Sequence, residues 1–99
     1  MKKVLIAGGN GVIGRLLAEG LISDYEVTVL DKDHFDGKAS SIQADAANYE
    51  ELLKKIPKDT DAILNLLAVK IKYDIMDIAE FEKMTDVFYR ASYYLCRAA

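Results

Sequence analysis

Short apolar runs alternate with helical patterns along this chain, and that alternation restricts its fold more than any other feature of the sequence. Residues 4–7 form a continuous apolar run with no polar side, which is typical of a parallel strand covered on both faces. Residues 25–30 alternate and contain the strand-favouring types Val, Thr and Tyr. A weaker strand is predicted at 41–44, and a fourth at 61–67, where apolar residues surround Asn65.

Three helical patterns connect and follow these strands. In the first pattern, Arg15 and Glu19 lie on the polar face. The apolar residues recur at helical spacing: Val12, Ile13, Leu16, Leu17, Leu21 and Ile22. A second, shorter helix is predicted at 48–56, with Leu52, Leu53 and Ile56 facing inward. The last helix is predicted to carry one continuous apolar stripe, made of Phe81, Met84, Phe88, Ala91, Leu95 and Ala98.

This β-α-β-β-α-β-α order defines the fold class. Parallel strands joined by helical crossovers are wound right-handed, which leaves an open sheet with helices on both faces. We therefore predict a Rossmann-like α/β fold, truncated to about four parallel strands in the order 3-2-1-4. At 99 residues, the chain is expected to form a single domain over residues 1–99.

Composition and charge argue against several classes of partner. The chain has 13 Lys and Arg against 16 Asp and Glu, a net charge of −3, and no basic cluster, so we expect no nucleic-acid binding. No apolar run approaches the ~18 residues of a membrane span. The one cysteine, Cys96, cannot form an internal disulfide, which fits a cytoplasmic protein. The one histidine, His34, has no second metal-ligating His or Cys nearby, so no metal site is predicted.

A glycine-rich segment at residues 7–14 separates the first strand from the first helix. It fits two overlapping patterns, Gly9-x-Gly11-x-x-Gly14 and Gly8-x-x-Gly11-x-x-Gly14, and both remain open. In either pattern one glycine permits a turn with positive φ, and another lets the backbone approach a diphosphate. The third lets the helix pack closely on the strand. The segment therefore predicts a dinucleotide site.

An acidic residue follows the second strand at the distance that a dinucleotide site requires. Asp31 lies 31 − 11 = 20 residues after Gly11, where a carboxylate would accept hydrogen bonds from the adenosine ribose hydroxyls. It would repel a 2′-phosphate and favour NAD over NADP, although the neighbouring Lys32 could tolerate the phosphate. The helix start at Val12 and Ile13 would present N–H groups to the diphosphate. In the alternative interpretation, the glycines only form a tight turn and Asp31 only ends a strand.

The opening sequence KVLIAGGNGVIG resembles the start of the extended short-chain dehydrogenase/reductases, the NAD-dependent epimerase/dehydratase family. Members of that family begin with a strand followed by T-G-G-x-G-F-I-G, so Ala7 takes the Thr position and Val12 the Phe position. The resemblance spans nearly all of this chain, yet only the first third of a full family member. It implies a cofactor-binding fold whose whole enzyme acts on a nucleotide sugar or a similar alcohol or ketone.

The same resemblance implies further cofactor contacts. Asp45, with its neighbour Ala46, is similar to the family's Asp after the third strand, close to the adenine. Leu67 and Ala68 belong to a segment that resembles the family's H-L-A-A, beside the ribose on the nicotinamide side. The last helix resembles a family helix that commonly builds the dimer interface.

The family's proton chemistry has no counterpart in these residues. That chemistry uses Tyr-x-x-x-Lys, in which the Lys lowers the pKa of the phenol so that the Tyr acts as general base. None of the six tyrosines is followed by Lys four positions later: Tyr25, Tyr49, Tyr73, Tyr89, Tyr93 and Tyr94. No catalytic residue is predicted, and the chain alone is expected to be inactive.

Three functions remain open from the sequence. The chain is the NAD-binding part of an epimerase, dehydratase or reductase, or a stand-alone binding or regulatory module, or a fragment that folds but binds nothing well. Self-association into a homo-oligomer is predicted through the outer edge of the fourth strand or through the C-terminal helix, because an unpaired strand edge is a template for another chain.

Overall fold

Four strands and four helices are described by the structure, a computed structural model, over residues 1–67 and 78–98. The elements are β1 (Lys3–Ala7), α1 (Val12–Leu21), β2 (Glu26–Asp31), β3 (Ser40–Gln43), α2 (Tyr49–Lys55), β4 (Ala62–Asn65), α3 (Ile78–Met84), a π-helical segment (Thr85–Arg90) and α4 (Ala91–Ala98). The predicted contact at Ala68 lies outside the described residues.

The strands lie in the order β3-β2-β1-β4, and every neighbouring pair is parallel. Val4 of β1 lies opposite Val27 of β2 on one side and Ala62 of β4 on the other. The predicted Rossmann-like fold and its strand order are confirmed. Because all four strands run in one direction, their carboxyl ends meet at the same edge of the sheet.

Hydrophobic cores cover both faces of this sheet. Leu5 of β1 belongs to one core with Leu52 of α2 and Leu95 of α4. The next residue, Ile6, belongs to the opposite core with Ala18 of α1. Since successive side chains of a strand point to opposite faces, two covered faces require the continuous apolar run that β1 has.

Helix α1 buries small residues most deeply, Leu17 and Leu21 pack against the core while only partly buried, and other large residues of the predicted row are exposed. Gly14 and Ala18 are buried, while Val12, Ile13 and Leu16 are 65% to 80% exposed. A Cβ atom on Gly14 would lie 2.5 Å from the Cα of Gly9. The helix approaches the glycine-rich loop so closely at this point that only a residue without a side chain fits. The prediction of an inward-facing row that includes the first three large residues is therefore wrong.

Helix α2 begins after Asn48, whose side-chain Oδ1 accepts a hydrogen bond from the N–H of Glu51 at 3.2 Å. Leu52 is fully buried and Ile56 nearly so, as predicted. Leu53 is 37% exposed, which corrects its predicted inward orientation. This helix has seven residues and contacts the core through a narrow face only, and Leu53 lies outside that face.

The last helical region does not present one continuous apolar stripe. Ala91, Leu95 and Ala98 are buried, as the stripe predicts, but Phe81 and Phe88 are exposed. Between the two halves, the N–H of Ala91 donates to the carbonyl of Asp86, five residues earlier, so the turn holds an extra residue. This π-helical segment rotates α3 relative to α4, and the apolar positions of the two halves no longer share one face.

The helices of this protein are short, and α1, for example, has ten residues. None of the helices in the described ranges is long and apolar enough to cross a membrane. Cys96 is exposed on α4 and has a free thiol.

Candidate functional site

A cleft of about 470 Å³ opens at the carboxyl edge of the sheet. Its walls come from the glycine-rich loop, the end of β2, the residues after β3 and β4, and one face of the last helical region. This position, beyond the carboxyl ends of parallel strands, is where open α/β sheets bind ligands. Seven of the predicted site residues line it: Gly8, Gly11, Asp31, Lys32, Asp45, Ala46 and Leu67.

Gly8 makes the sharp turn that takes the chain out of β1. Its φ is +80°, and its N–H donates to the carbonyl of Leu30 at 2.8 Å. A Cβ atom here would lie 2.8 Å from the backbone of Leu66, beyond the end of β4. Gly9 instead packs on β2, since its Cβ would lie 2.6 Å from Cγ1 of Val29. The turn therefore follows the spacing Gly8-x-x-Gly11-x-x-Gly14 of the two patterns.

Gly11 directly precedes the first turn of α1, and no side chain of the described residues caps that helix end. Among the described residues, and apart from the two chain neighbours of Gly11, a Cβ on Gly11 would approach the carbonyl oxygen of Gly8 at 3.7 Å, an ordinary van der Waals distance. Close packing thus explains Gly14 but not Gly11. Val12 and Ile13 direct their side chains to solvent and do not line the cleft, so their contribution to a ligand is confined to backbone N–H groups.

Asp31 ends β2 with a half-buried carboxylate that is already oriented by backbone N–H groups. Its Oδ2 accepts from the N–H of Asn10 at 3.2 Å, and its Oδ1 accepts from the N–H of Asp33 at 3.0 Å. Each carboxylate oxygen can accept more than one hydrogen bond, so both retain capacity toward a ligand in the cleft. Lys32 and Asp33 also line this wall.

Two short turns shape the remaining loop walls. After β3, the Oδ1 of Asp45 accepts from the N–H of Ala47 at 2.9 Å, which holds Asp45 and the buried Ala46 at the cleft. After β4, the N–H of Leu67 donates to Oδ1 of Asn65 at 3.1 Å. In both turns, the side chain of an Asp or Asn accepts a hydrogen bond from the backbone N–H two residues later, a local arrangement that these residue types favour.

Several cleft residues were not predicted from the sequence. Asn10 lies inside the glycine-rich loop itself, so the motif could have pointed to it. Lys83, Asp86, Val87 and Ala91 reach the cleft from the last helical region. Asp86 and Val87 belong to the π-helical segment and Ala91 begins α4 directly after it, and that segment has no sequence pattern from which it could be predicted.

The cleft combines features suited to an anionic ligand that also carries hydroxyl groups. The uncapped start of α1 supplies N–H donors and a partial positive charge, and Asp31 supplies acceptors. His34 lies outside it, exposed, with its Nε2 at 2.9 Å from Oδ1 of Asp36. Within residues 1–67 and 78–98, no group of three or more His, Cys, Asp or Glu is placed to hold a metal ion.

The fold and this cleft define the chain as a Rossmann-like α/β protein with an open site at the carboxyl edge of its sheet. Residues 4–99 match the model of the NAD dependent epimerase/dehydratase family. The chain belongs to that family, which confirms the resemblance seen in the sequence.

Solved structures with the same fold are much longer than this chain. Uronate dehydrogenase from Agrobacterium tumefaciens matches with a TM-score of 0.80 and 23% identity over 100% of this chain, but over only 36% of its own length. A short-chain dehydrogenase from Leptospira borgpetersenii with bound NAD⁺ has a TM-score of 0.78 and 28% identity, over 98% of this chain and 44% of its own. ElxO with bound NADPH has a TM-score of 0.80 and 23% identity, over 98% of this chain and 48% of its own.

Proposed function

We propose that this chain binds a nicotinamide dinucleotide, NAD in preference to NADP, in the cleft at the carboxyl edge of its sheet. It serves as the cofactor-binding part of an NAD-dependent epimerase, dehydratase or reductase that acts on a nucleotide sugar or a similar alcohol or ketone. The observation that carries the proposal is the convergence in one cleft of a helix start that no described side chain caps, the uncrowded backbone of Gly11 and the oriented carboxylate of Asp31.

The diphosphate of the cofactor fits the glycine-rich loop. The first-turn N–H groups of α1, at Val12 and Ile13, would donate to its oxygens, and the helix dipole favours a negative charge there. Gly11 would let the diphosphate approach the backbone, because it has no Cβ and no described residue crowds that position. Gly8 and Gly14 hold the loop in this shape through contacts within the protein.

The adenosine half fits the wall formed by β2 and β3. Asp31 would accept hydrogen bonds from the two ribose hydroxyls, and Asp45 with Ala46 would border the adenine. Leu67 and Ala68 would border the ribose on the nicotinamide side, a placement that rests on the family resemblance.

The preference for NAD rests on the charges that line the cleft. Among the described residues, four carboxylates line it against two ammonium groups: Asp31, Asp33, Asp45 and Asp86 against Lys32 and Lys83. An additional 2′-phosphate would lie beside the negative carboxylate of Asp31, in a site partly shielded from water. The repulsion between these two negative groups disfavours NADP. Lys32, next to Asp31, reduces this repulsion, but the described carboxylates of the cleft still outnumber its ammonium groups.

Bound NAD supplies hydride transfer to and from a substrate carbon. These 99 residues hold no Tyr-x-x-x-Lys, so they would bind and orient the cofactor while the proton acceptor comes from elsewhere in the whole enzyme. We place this protein in the cytoplasm, in keeping with its single cysteine. A stand-alone binding module is the second candidate, and it would show cofactor binding in a natural reading frame that ends at Ala99.

Calorimetric titration of the 99-residue chain with NAD, and separately with NADP, tests the proposal. We expect saturable heat with NAD and weaker binding of NADP. No heat with either dinucleotide at millimolar concentration would refute the proposal and support a fragment that folds without binding. Tighter binding of NADP would overturn only the cofactor preference.

A further inference from the structure

Arg15 does not line the cleft, yet it joins the glycine-rich loop to the loop that follows β2. We propose that Arg15 is a positioning residue, which acts through Asn10 to hold the carboxylate of Asp31 in the orientation that receives the ribose hydroxyls. This inference rests on the proposed function for its ligand, but the contacts that carry it belong to the protein alone.

Asn10 is hydrogen-bonded through all of its polar groups. Its N–H donates to Oδ2 of Asp31 at 3.2 Å, and its Nδ2 donates to the carbonyl of His34 at 3.2 Å. Its carbonyl accepts from Nε of Arg15 at 3.1 Å, and its Oδ1 accepts from a terminal nitrogen of the same guanidinium. We call these four contacts the Asn10 network.

Arg15 is itself held from the other side by an aromatic ring. Its guanidinium carbon lies 5.4 Å from the centroid of the Phe35 ring, within the range of a cation–π contact. Phe35 is buried in the core on the α1 face of the sheet. The guanidinium is therefore anchored by the core, and it transmits that anchoring to Asn10.

The consequence for Asp31 follows from the geometry of its two hydrogen bonds. The bond from Asp33 is local, since the two residues are two positions apart, whereas the bond from Asn10 comes from another loop. Only the Asn10 bond fixes the carboxylate relative to the helix start that would hold the diphosphate. Ordering this carboxylate before a ligand arrives reduces the entropy lost on binding.

An arginine suits this position better than a lysine. The planar guanidinium presents two N–H donors at a fixed spacing, which match the carbonyl and Oδ1 of Asn10, and its flat face stacks on an aromatic ring. A lysine ammonium could satisfy one of these acceptors but not the full set. We therefore expect Arg15→Lys to restore only part of what Arg15→Ala loses.

Binding of ADP and of 2′,3′-dideoxy-ADP to the 99-residue chain tests the inference, because the second probe lacks both hydroxyls. Arg15→Ala is expected to weaken ADP about three- to tenfold and to leave dideoxy-ADP within about twofold of wild type. In an Asp31→Ala background the same substitution should have no further effect on ADP. Lys54→Ala, which removes one positive charge from the exposed surface of α2, is the matched control and should change neither probe.

Amide hydrogen exchange provides a second measurement that needs no ligand. In Arg15→Ala the N–H of Asn10 should exchange several-fold faster, while the N–H of Ile6 in β1 keeps its protection. Unchanged exchange at Asn10, or equal weakening of ADP and dideoxy-ADP, would overturn the positioning role. If wild type bound neither probe, the proposed function would fail, and the exchange measurement alone would still decide whether Arg15 orders Asn10.

Discussion

The glycines of the loop after β1 are required for different physical reasons. Gly8 has a left-handed backbone conformation and lies against the backbone of Leu66, and Gly14 lies against Gly9. These contacts are within the protein, so they act on stability. Gly11 has neither a positive φ nor a crowding neighbour among the described residues, so these two causes do not explain a glycine at this position.

Two alanine substitutions separate these roles. Gly8→Ala should lower the free energy of unfolding by about 1–3 kcal/mol, because a Cβ is strained at positive φ and collides with Leu66. Gly11→Ala should change it by less than about 0.5 kcal/mol but weaken NAD binding, since its Cβ occupies space meant for the diphosphate. Urea unfolding and calorimetry measure the two effects. Equal losses of stability in both variants would contradict this division.

Asp31 carries the second prediction at this scale. Asp31→Ala should weaken NAD by about 1–3 kcal/mol, which corresponds to the loss of hydrogen bonds to a charged acceptor. Asp24→Ala, an exposed carboxylate at the end of the sheet away from the cleft, is the control for a change in net charge alone. Titration of both variants with NAD measures the difference, and equal affinity in wild type and Asp31→Ala would reject the assigned role.

At the scale of the element, each helix has a contact face that its periodicity only partly reveals. In α1 the buried positions are Gly14 and Ala18, and at Gly14 the close approach to the glycine-rich loop leaves no room for a side chain. In the last helical region, the extra residue of the π-helical segment changes which side faces the sheet. The pattern predicts that a helix forms, while the helix–sheet distance and rotation decide which residues are buried.

Adjacent leucines of α2 test this point directly. Leu52 is fully buried, so Leu52→Ala should lower the free energy of unfolding by about 2–5 kcal/mol through lost burial and a residual cavity. Leu53→Ala removes the same atoms from a partly exposed side chain and should cost less than about 1 kcal/mol. Urea unfolding of the two variants gives the comparison. A similar loss in both would mean that Leu53 also packs inward.

At the scale of the whole molecule, the sheet has two outer strands among the described residues, β3 and β4. The last helical region adds exposed aromatic side chains: Phe81, Phe88, Tyr89 and Tyr93. Outer strand edges and exposed aromatic side chains both favour association with another chain. The chain spans only 36% of the length of the uronate dehydrogenase that it matches.

Self-association of the 99-residue chain is therefore expected to rise with concentration. Tyr89→Ser combined with Tyr93→Ser should weaken it, because these side chains are 74% and 60% exposed on the last helical region. Tyr25→Ser is the control, because Tyr25 is an exposed tyrosine that directly precedes β2 and does not belong to the last helical region. Sedimentation equilibrium measures the change. A strict monomer at high concentration in wild type would refute the prediction.

The amino-acid sequence by itself determined the class of fold, the strand order and the family. Continuous apolar runs, helical spacing and the glycine-rich loop are local patterns, and a parallel sheet with right-handed crossovers allows few arrangements of them. The place of Asp31 at the end of β2 follows from the same local patterns, whereas the choice of Gly8 over Gly9 for the turn came from the structure.

Only the tertiary structure decided which faces are buried and what completes the cleft. The exposure of Leu16 and Leu53, the arrival of Asp86 and Val87 at the cleft, and the link from Arg15 through Asn10 to Asp31 depend on distances between segments far apart in the chain. Periodicity carries no information about those distances, because close packing between elements sets them only once all the elements are in place.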